Sequence, residues 1–271
     1  MFKCPICQSE DHKRVMEVKN YPILKCAKCT LVFTGVEPEF DSSSIYTETF
    51  WHSKKRETGY EDYFKRKEST LKKCKSRLKK ISDFIGKYHG KLLDIGCGPG
   101  FFLQAASDKG WEAFGIDVSE YAVDYAKREL GLKHVICDSK IPEKWSSHTF
   151  DVITLWAVIE HLPDPLSIMK SLTPRLKNDG ILCLSTGNWN SIAARYKKEN
   201  WRLMTPPGHL FFFTKKTIGQ LLEKAGLQII KYRTNDEFGA GRASLLRKNP
   251  MKKILRTLGL GDIMTLYARK Y

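Results

Sequence analysis

Two groups of residues have types and spacings that could do chemistry. The first is Cys4-Pro-Ile-Cys7 and Cys26-Ala-Lys-Cys29, two Cys-x-x-Cys turns with 18 residues between them. Each turn presents two thiolates, and the intervening segment can form a hairpin that brings the pairs together, which suits a tetrahedral zinc ion. A disulfide is the alternative, disfavoured in a reducing compartment, and a redox site would need only one Cys-x-x-Cys. Four thiolates on Zn²⁺ leave the site formally anionic, so its expected job is structural, with a charge unsuited to nucleic acid. Metal binding should then supply most of the stability of a module with little apolar content. Cys74, Cys97, Cys137 and Cys183 lie in amphipathic or apolar runs and read as small buried hydrophobes.

The second group is Leu92-Leu93-Asp94-Ile95-Gly96-Cys97-Gly98-Pro99-Gly100, an apolar strand running into a glycine-rich turn that opens a helix. Glycines let the chain turn sharply and let backbone approach a nucleoside, and the strand-to-helix turn offers amide donors at the carboxyl edge of a sheet. A nicotinamide fingerprint would read Gly-x-Gly-x-x-Gly, whereas here Gly96, Gly98 and Gly100 alternate and Asp94 precedes them. A carboxylate there repels phosphates but attracts a cationic amino-acid group, such as the ammonium of S-adenosylmethionine. Asp117 ends the next strand, 21 residues beyond Gly96, where an acid can accept from both ribose hydroxyls; Val118 follows it. Asp138 follows the third strand and can receive an adenine amine. The alternatives are an N-cap role around Asp117-Val118-Ser119 and a plain turn for Asp138.

The elements that must position these residues follow from periodicity. Strands are expected at 92–95, 113–116, 135–137, 152–156 and 181–185, alternating with helices at 101–109, 120–130, 165–177 and 215–225. Such alternation builds an α/β fold, a parallel sheet with helices on both faces. A sixth strand is expected at 227–233 and a seventh at 262–269. Before them, Leu71, Cys74, Leu78, Ile81 and Ile85 mark one apolar stripe of a basic helix. The aromatic stretch 33–63, with Phe40, Tyr46, Phe50, Trp51, Tyr60 and Tyr63, could be a lid. The organisation is then a zinc-binding module at 1–35, an aromatic and basic helical segment at 36–88, and a catalytic domain at 89–271. Within that domain, 187–213 forms an insertion on the acceptor side, and 242–260 is a basic amphipathic stretch.

With these residues in hand, the chain resembles the class I S-adenosylmethionine-dependent methyltransferases. The resemblance rests on Asp94 to Gly100, Gly115-Ile116-Asp117, Asp138 and Glu160-His161-Leu162-Pro163-Asp164-Pro165, in order over roughly residues 85–235. It implies a Rossmann-like seven-stranded sheet with an antiparallel last strand, and a cofactor pocket of Asp94, Gly96, Gly98, Gly100, Asp117, Val118, Asp138 and Trp156. More narrowly, Trp201 to Leu210 with Phe213-Thr214 resembles the branch containing ubiquinone-type O-methyltransferases and sugar-modifying enzymes. The cysteine module is similar to that of sugar C-methyltransferases, although their usual further C-terminal domain is not expected here.

Because a sulfonium is already activated, the protein need only align nucleophile and methyl, exclude water and remove a proton. His161, after the fourth strand, and His209, in the insertion, are the candidate bases, with His209 preferred; packing or helix capping is the alternative for each. Trp201, Tyr46, Trp51 and Tyr63 read as pocket walls or core. The function implied is methyl transfer to oxygen or carbon of a small-molecule acceptor, possible sugar or lipid-linked metabolites included. An RNA methyltransferase and a non-catalytic zinc-bearing module with a vestigial cofactor fold are the competing readings.

The charge is +16, from 46 basic and 30 acidic residues, and its position matters more than its size. Residues 54–87 carry 13 basic and 5 acidic groups and 242–271 carry 8 and 1, so the catalytic body is nearly neutral. Nucleic acid is therefore disfavoured as a partner, whereas a helix with Met251, Ile254, Leu255 and Leu258 on one face and Lys252, Lys253 and Arg256 off it could rest on an anionic membrane. With 42% hydrophobic residues, wholesale disorder is excluded. No apolar run spans a bilayer and the N-terminus lacks a signal core, so the expected location is cytoplasmic. The oligomeric state is open.

Overall fold

From residue 90 onward, short apolar strands and amphipathic helices build a seven-stranded mixed sheet. The computed structural model describes residues 3–36, 40, 42–52, 64–235 and 257–271. In chain order its strands are β1 (His12–Val18), β2 (Tyr21–Cys26), β3 (Val32–Thr34), β4 (Gly90–Ile95), β5 (Trp111–Asp117), β6 (His134–Cys137), β7 (Phe150–Trp156), β8 (Leu176–Gly187), β9 (Phe211–Phe212), β10 (Leu227–Asn235) and β11 (Ile263–Lys270). The α-helices are α1 (Glu48–Trp51), α2 (Lys67–Ile85), α3 (Phe101–Ser107), α4 (Glu120–Arg128), α5 (Pro165–Leu172), α6 (Ile192–Lys197) and α7 (Lys215–Lys224). The large sheet has the order β10-β11-β8-β7-β4-β5-β6. β4 pairs in parallel with β5 and β7, β5 in parallel with β6, and β10 with β11 antiparallel, as the seven-strand expectation required. By packing, the chain forms two units, Ser43–Trp156 with Pro174–Leu182, and Met1–Ser42 with Ala157–Thr173 and Cys183–Tyr271.

In the first unit, α2 buries Cys74, Leu78 and Ile81 and ends at Gly86 in the left-handed conformation, while its lysines face outward. The helix expected over 165–177, which belongs to the second unit, stops at Leu172, followed by a short 3-10 turn, and β8 begins at Leu176 rather than at 181. Pro174 cannot continue the helical ladder, and the polar run Lys177-Asn178-Asp179 disguises the strand's start. Lys177 has a partner there: Asp151, nearly buried on β7, accepts from Lys177 Nζ at 2.8 Å, Lys87 Nζ at 3.1 Å and the Lys91 amide at 2.9 Å. Burial alone would push the Asp151 carboxyl up; these donors outweigh it and hold it below its ordinary value. Its stabilising contribution is thus present above the ordinary carboxylate range and is lost as acid titrates through the folded-state value. Asp151→Asn should cost about 2 kcal/mol in denaturant unfolding at neutral pH, whereas Asp179→Asn, on an exposed pair, should cost under about 0.5 kcal/mol. Equal effects would refute the ranking.

Cys137 is exposed, against the expectation of a buried thiol, because β6 is the edge strand of the sheet. Cys74, Cys97 and Cys183 are buried as expected.

In the second unit, β1, β2 and β3 form an antiparallel sheet, with Lys19 and Asn20 both at positive φ in the tight turn between β1 and β2. This sheet does not end with the cysteine module. Val32 and Phe33 of β3 pair with Phe212 and Phe211 of β9, and Ile23, Val32, Phe212, Trp201, Met204 and Ala194 share one apolar cluster. The 1–35 segment thereby borrows its core from the 187–213 insertion.

Among the described residues no helix is long and apolar enough to cross a membrane. Tyr60, Tyr63 and the basic face at 251–256 lie outside the described residues; Leu258 is exposed.

Candidate active site

The glycine turn leaves β4 with Gly96, Gly98 and Gly100 at φ +65°, +52° and +82°, the left-handed region that disfavours a side chain. At Gly98 a Cβ would also lie 3.1 Å from the Trp51 ring, so the turn is closed against α1. Asp117 organises this turn from the end of β5. Its Oδ2 accepts from the Gly98 amide at 2.6 Å and its Oδ1 from the Ser119 amide at 2.9 Å. Ser119 then caps α4 and accepts from Trp51 Nε1 at 2.9 Å. The N-cap of α4 is thus Ser119, and Asp117 supports it through the Ser119 amide.

Asp94 is buried and accepts from the Thr154 hydroxyl at 2.6 Å. Burial pushes its carboxyl up to about 7, Thr154 opposes the rise and the charge of Asp117 adds to it. Burial also raises Asp117, against the pull of the Ser119 and Gly98 amides. Arg77 opposes the rise at Asp94 as well, and two buried acids this close favour the approach of a cationic group. Asp138 is exposed and its Oδ1 accepts from the Lys140 amide at 2.9 Å, the geometry of a turn acid. Val118 is partly exposed at 37%, an apolar surface next to Asp117. Trp156 packs edge-on to Phe102, and the Arg77 guanidinium lies 4.8 Å above its ring. In the sequence Arg77 reads only as one of the basic residues of α2. The one signal is its place beside the apolar stripe, three residues after Cys74.

Glu160, His161 and His209 form a second cluster, within the other unit. The chain turns out of β7 through Ala157, at φ +55°, whose amide donates to Ser185. The Glu160 carbonyl then accepts from the Leu210 and Phe211 amides, which draws the insertion onto this segment. His161 Nδ1 donates to the Gly208 carbonyl at 2.6 Å and His209 Nδ1 to the Leu203 carbonyl at 2.7 Å. The rings are 4.6 Å apart, edge to face. Enclosure lowers both imidazoles below their ordinary value, His209 further through His161 and Arg202. Both are thus neutral Nδ1–H tautomers at neutral pH. The expected pair is together; Glu160, quoted in the sequence motif but given no role, belongs with it. Trp201 is core, with Nε1 donating to Asp262 at 2.6 Å, and Trp51 is the aromatic that covers the glycine turn.

The four cysteine sulfurs lie within 4.8 Å of one another. Cys4 Sγ is 3.3 Å from Cys29 Sγ and Cys7 Sγ is 3.5 Å from Cys26 Sγ, too far for a disulfide and near the edge of about 3.8 Å that Zn–S bonds of about 2.3 Å give a tetrahedron. Gln8 and Thr30, the residues after each Cys-x-x-Cys, share positive φ, so both turns have the same local form. The Cys29 amide donates to Cys26 Sγ at 3.4 Å, a bond suited to a thiolate.

A methyltransferase domain family model matches residues 64–232. Among curated proteins, the ubiquinone biosynthesis O-methyltransferase of Actinobacillus pleuropneumoniae serotype 7 is 37% identical over 112 residues, 38% of this chain and 48% of that one. The Coxiella burnetii protein of the same name is 34% identical over 165 residues, 57% of this chain and 70% of its own. The chain thus spans about half the length of the first of these relatives. Among solved structures, a possible histamine N-methyltransferase of Thermotoga maritima superposes with TM-score 0.61 at 19% identity, covering 85% of this chain and all of that one. The plantazolicin methyltransferase BpumL, solved in complex with SAH, gives 0.56 at 19%, covering 85% and 95%. These two show the fold. Because the matched residues take in both the glycine turn and the Glu160-His161 segment and make up more than half of the sequence, the chain belongs to the methyltransferase domain family.

Proposed function

We propose that this chain transfers the methyl group of S-adenosylmethionine to an oxygen of a small-molecule acceptor. The observation that carries the reading is the pair of buried acids, Asp94 and Asp117, around a turn of three left-handed glycines. In this reading Asp94 receives the ammonium group, Asp117 the ribose hydroxyls and Asp138 the adenine amine. Val118 and Trp156 supply apolar walls, and Gly96, Gly98 and Gly100 keep the backbone clear of the nucleoside. When bound, S-adenosylmethionine supplies a methyl group on a sulfonium leaving group. The chain's own residues then align the acceptor, exclude water and take up its proton, the task assigned to His209 and His161. Oxygen as the attacking atom is supported by the names of the relatives.

We also propose that Cys4, Cys7, Cys26 and Cys29 hold one structural zinc ion. Its support is the sulfur separations and the matched turns.

The test is calorimetry of the purified chain with S-adenosylmethionine and its demethylated product, followed by labelled-methyl transfer to a panel of phenols, sugars and RNA. Binding of both, with label on a hydroxyl compound, is the expected outcome. Absence of cofactor binding, or label appearing on RNA alone, would remove the reading.

A further inference from the structure

Asp262, the residue before β11, holds both the start and the middle of the 187–213 insertion. It is buried, and its Oδ1 accepts from Trp201 Nε1 at 2.6 Å and from the Ser191 hydroxyl at 3.3 Å, while Oδ2 accepts from Arg202 Nε at 2.6 Å. Its carbonyl accepts from the Asn188 amide at 2.9 Å, and Asn188 Nδ2 donates to the Gly259 and Gly261 carbonyls at 3.0 and 2.8 Å. Trp201 and Arg202 open a tight turn, closed by the Met204 amide donating to the Trp201 carbonyl at 2.8 Å. That turn sits directly on the end of β8: a Cβ at Gly187 would lie 2.9 Å from Leu203 Cδ1 and 3.1 Å from the Trp201 ring. The Leu203 carbonyl of this turn is the acceptor of His209 Nδ1 at 2.7 Å. His209 itself is anchored elsewhere. Its carbonyl accepts from the Thr34 hydroxyl at 2.8 Å, and the Leu210 and Phe211 amides donate to the Glu160 carbonyl at 2.8 and 3.2 Å. The Nδ1–Leu203 bond therefore joins two separately anchored pieces of chain, and its geometry depends on where the 201–204 turn is held.

We propose that Asp262 is the positioning residue that sets which ring nitrogen of His209 carries the proton. The inference rests on the reading of His209 as the base of methyl transfer. By holding Trp201 and Arg202 through both of its oxygens, the carboxylate aims the Leu203 carbonyl at Nδ1. The ring proton then stays on Nδ1, and Nε2 presents the lone pair that takes a proton from an acceptor hydroxyl. A ring with its proton on Nε2 would donate where it must accept. Stability is a poor account of the arrangement, because desolvating Asp262 and part of Arg202 offsets much of their attraction. What two short charge-assisted bonds to adjacent residues supply is orientation.

Ring ¹⁵N shifts of the histidine-labelled full chain at pH 8, where both enclosed imidazoles are neutral, report the tautomer without cofactor or acceptor. With assignments from His161→Asn and His209→Asn, the expected wild-type pattern is Nδ1–H for both rings. Asp262→Ala should turn His209 into a mixture with the Nε2–H form. His161, whose acceptor is the Gly208 carbonyl on the other anchored piece, should keep its pattern. Asp262→Asn keeps one acceptor oxygen and should be intermediate. Arg202→Met removes one donor at a partly exposed position, leaves Trp201 and Ser191 on Asp262, and should give a partial shift. Circular dichroism shows which variants fold, and Arg202→Met decides if the alanine variant does not. A His209 ring that stays Nδ1–H in the folded variants would overturn the inference. So would His161 and His209 changing together, the mark of an insertion that has merely loosened. With an accepted hydroxyl compound in hand, methyl transfer should fall in proportion to the lost Nδ1–H fraction, and undiminished transfer beside an altered ring would also overturn it. A wild type that transfers no methyl group would remove the functional reading and leave the hold of Asp262 on the ring standing.

Discussion

Asp117→Ala should weaken binding of S-adenosylhomocysteine by about 3 kcal/mol, on the order of a hundredfold. The carboxylate does two jobs in this reading. It accepts from the Gly98 amide at 2.6 Å and the Ser119 amide at 2.9 Å, charge-assisted bonds that hold the glycine turn, and it offers its remaining lone pairs to a ribose. Alanine removes both, whereas Asp117→Asn keeps one acceptor oxygen and turns a donor toward an amide, so its loss should be intermediate. Titration calorimetry at fixed pH measures the effect, and an alanine variant with wild-type affinity would refute the assignment of this turn as the cofactor site. S-adenosylmethionine affinity should also depend on pH. A cationic ligand selects the ionised form of Asp94, whose carboxyl lies at about 7 before binding. Below that value a proton must first leave, so affinity should fall by up to about tenfold per pH unit on acidification and level off above it.

Elemental analysis should find one zinc per chain, and Cys26→Ser should lose most of it together with the order of more than the cysteine segment. Structural zinc sites of this kind supply about 10–16 kcal/mol of folding free energy in isolated modules. Here β3 is hydrogen-bonded to β9, the Thr34 hydroxyl donates to the His209 carbonyl at 2.8 Å, and Ile23 and Val32 share a core with Trp201, Met204 and Phe212. Hydrogen exchange in the variant should therefore quicken in 12–34 and in 201–212 while β4, β5 and β7 keep their protection. Exchange confined to residues 3–30, or a metal-free wild type with full protection there, would contradict this.

What the sequence made legible were features with a local cause. The glycine turn, Asp117 at its strand end and the paired cysteines are fixed by short-range geometry, and their spacing survives into the structure. The early end of α5 was also written locally, in Pro174, but masked by apolar residues on both sides of it. Other features depend on contacts between distant segments. Glu160 acquires meaning only when the 203–211 segment folds onto it, and Arg77 only when α2 lays it over Trp156. Two residues of strand at Phe211–Phe212 carry no periodicity, so the extension of the N-terminal sheet could not be read in advance.

That extension bears on how the N-terminal segment could be gained or lost. Deleting residues 1–36 would not return a tidy smaller enzyme. It would bare the hydrogen-bonding edge of Phe211–Phe212 and the apolar side chains of Trp201, Met204 and Phe212 to water, an open edge over a greasy patch of the kind that recruits other chains. Grafting the segment onto a related protein would likewise require moving residues 194–212 with it. The inheritable unit is thus discontinuous, two stretches some 160 residues apart along the chain that must change together.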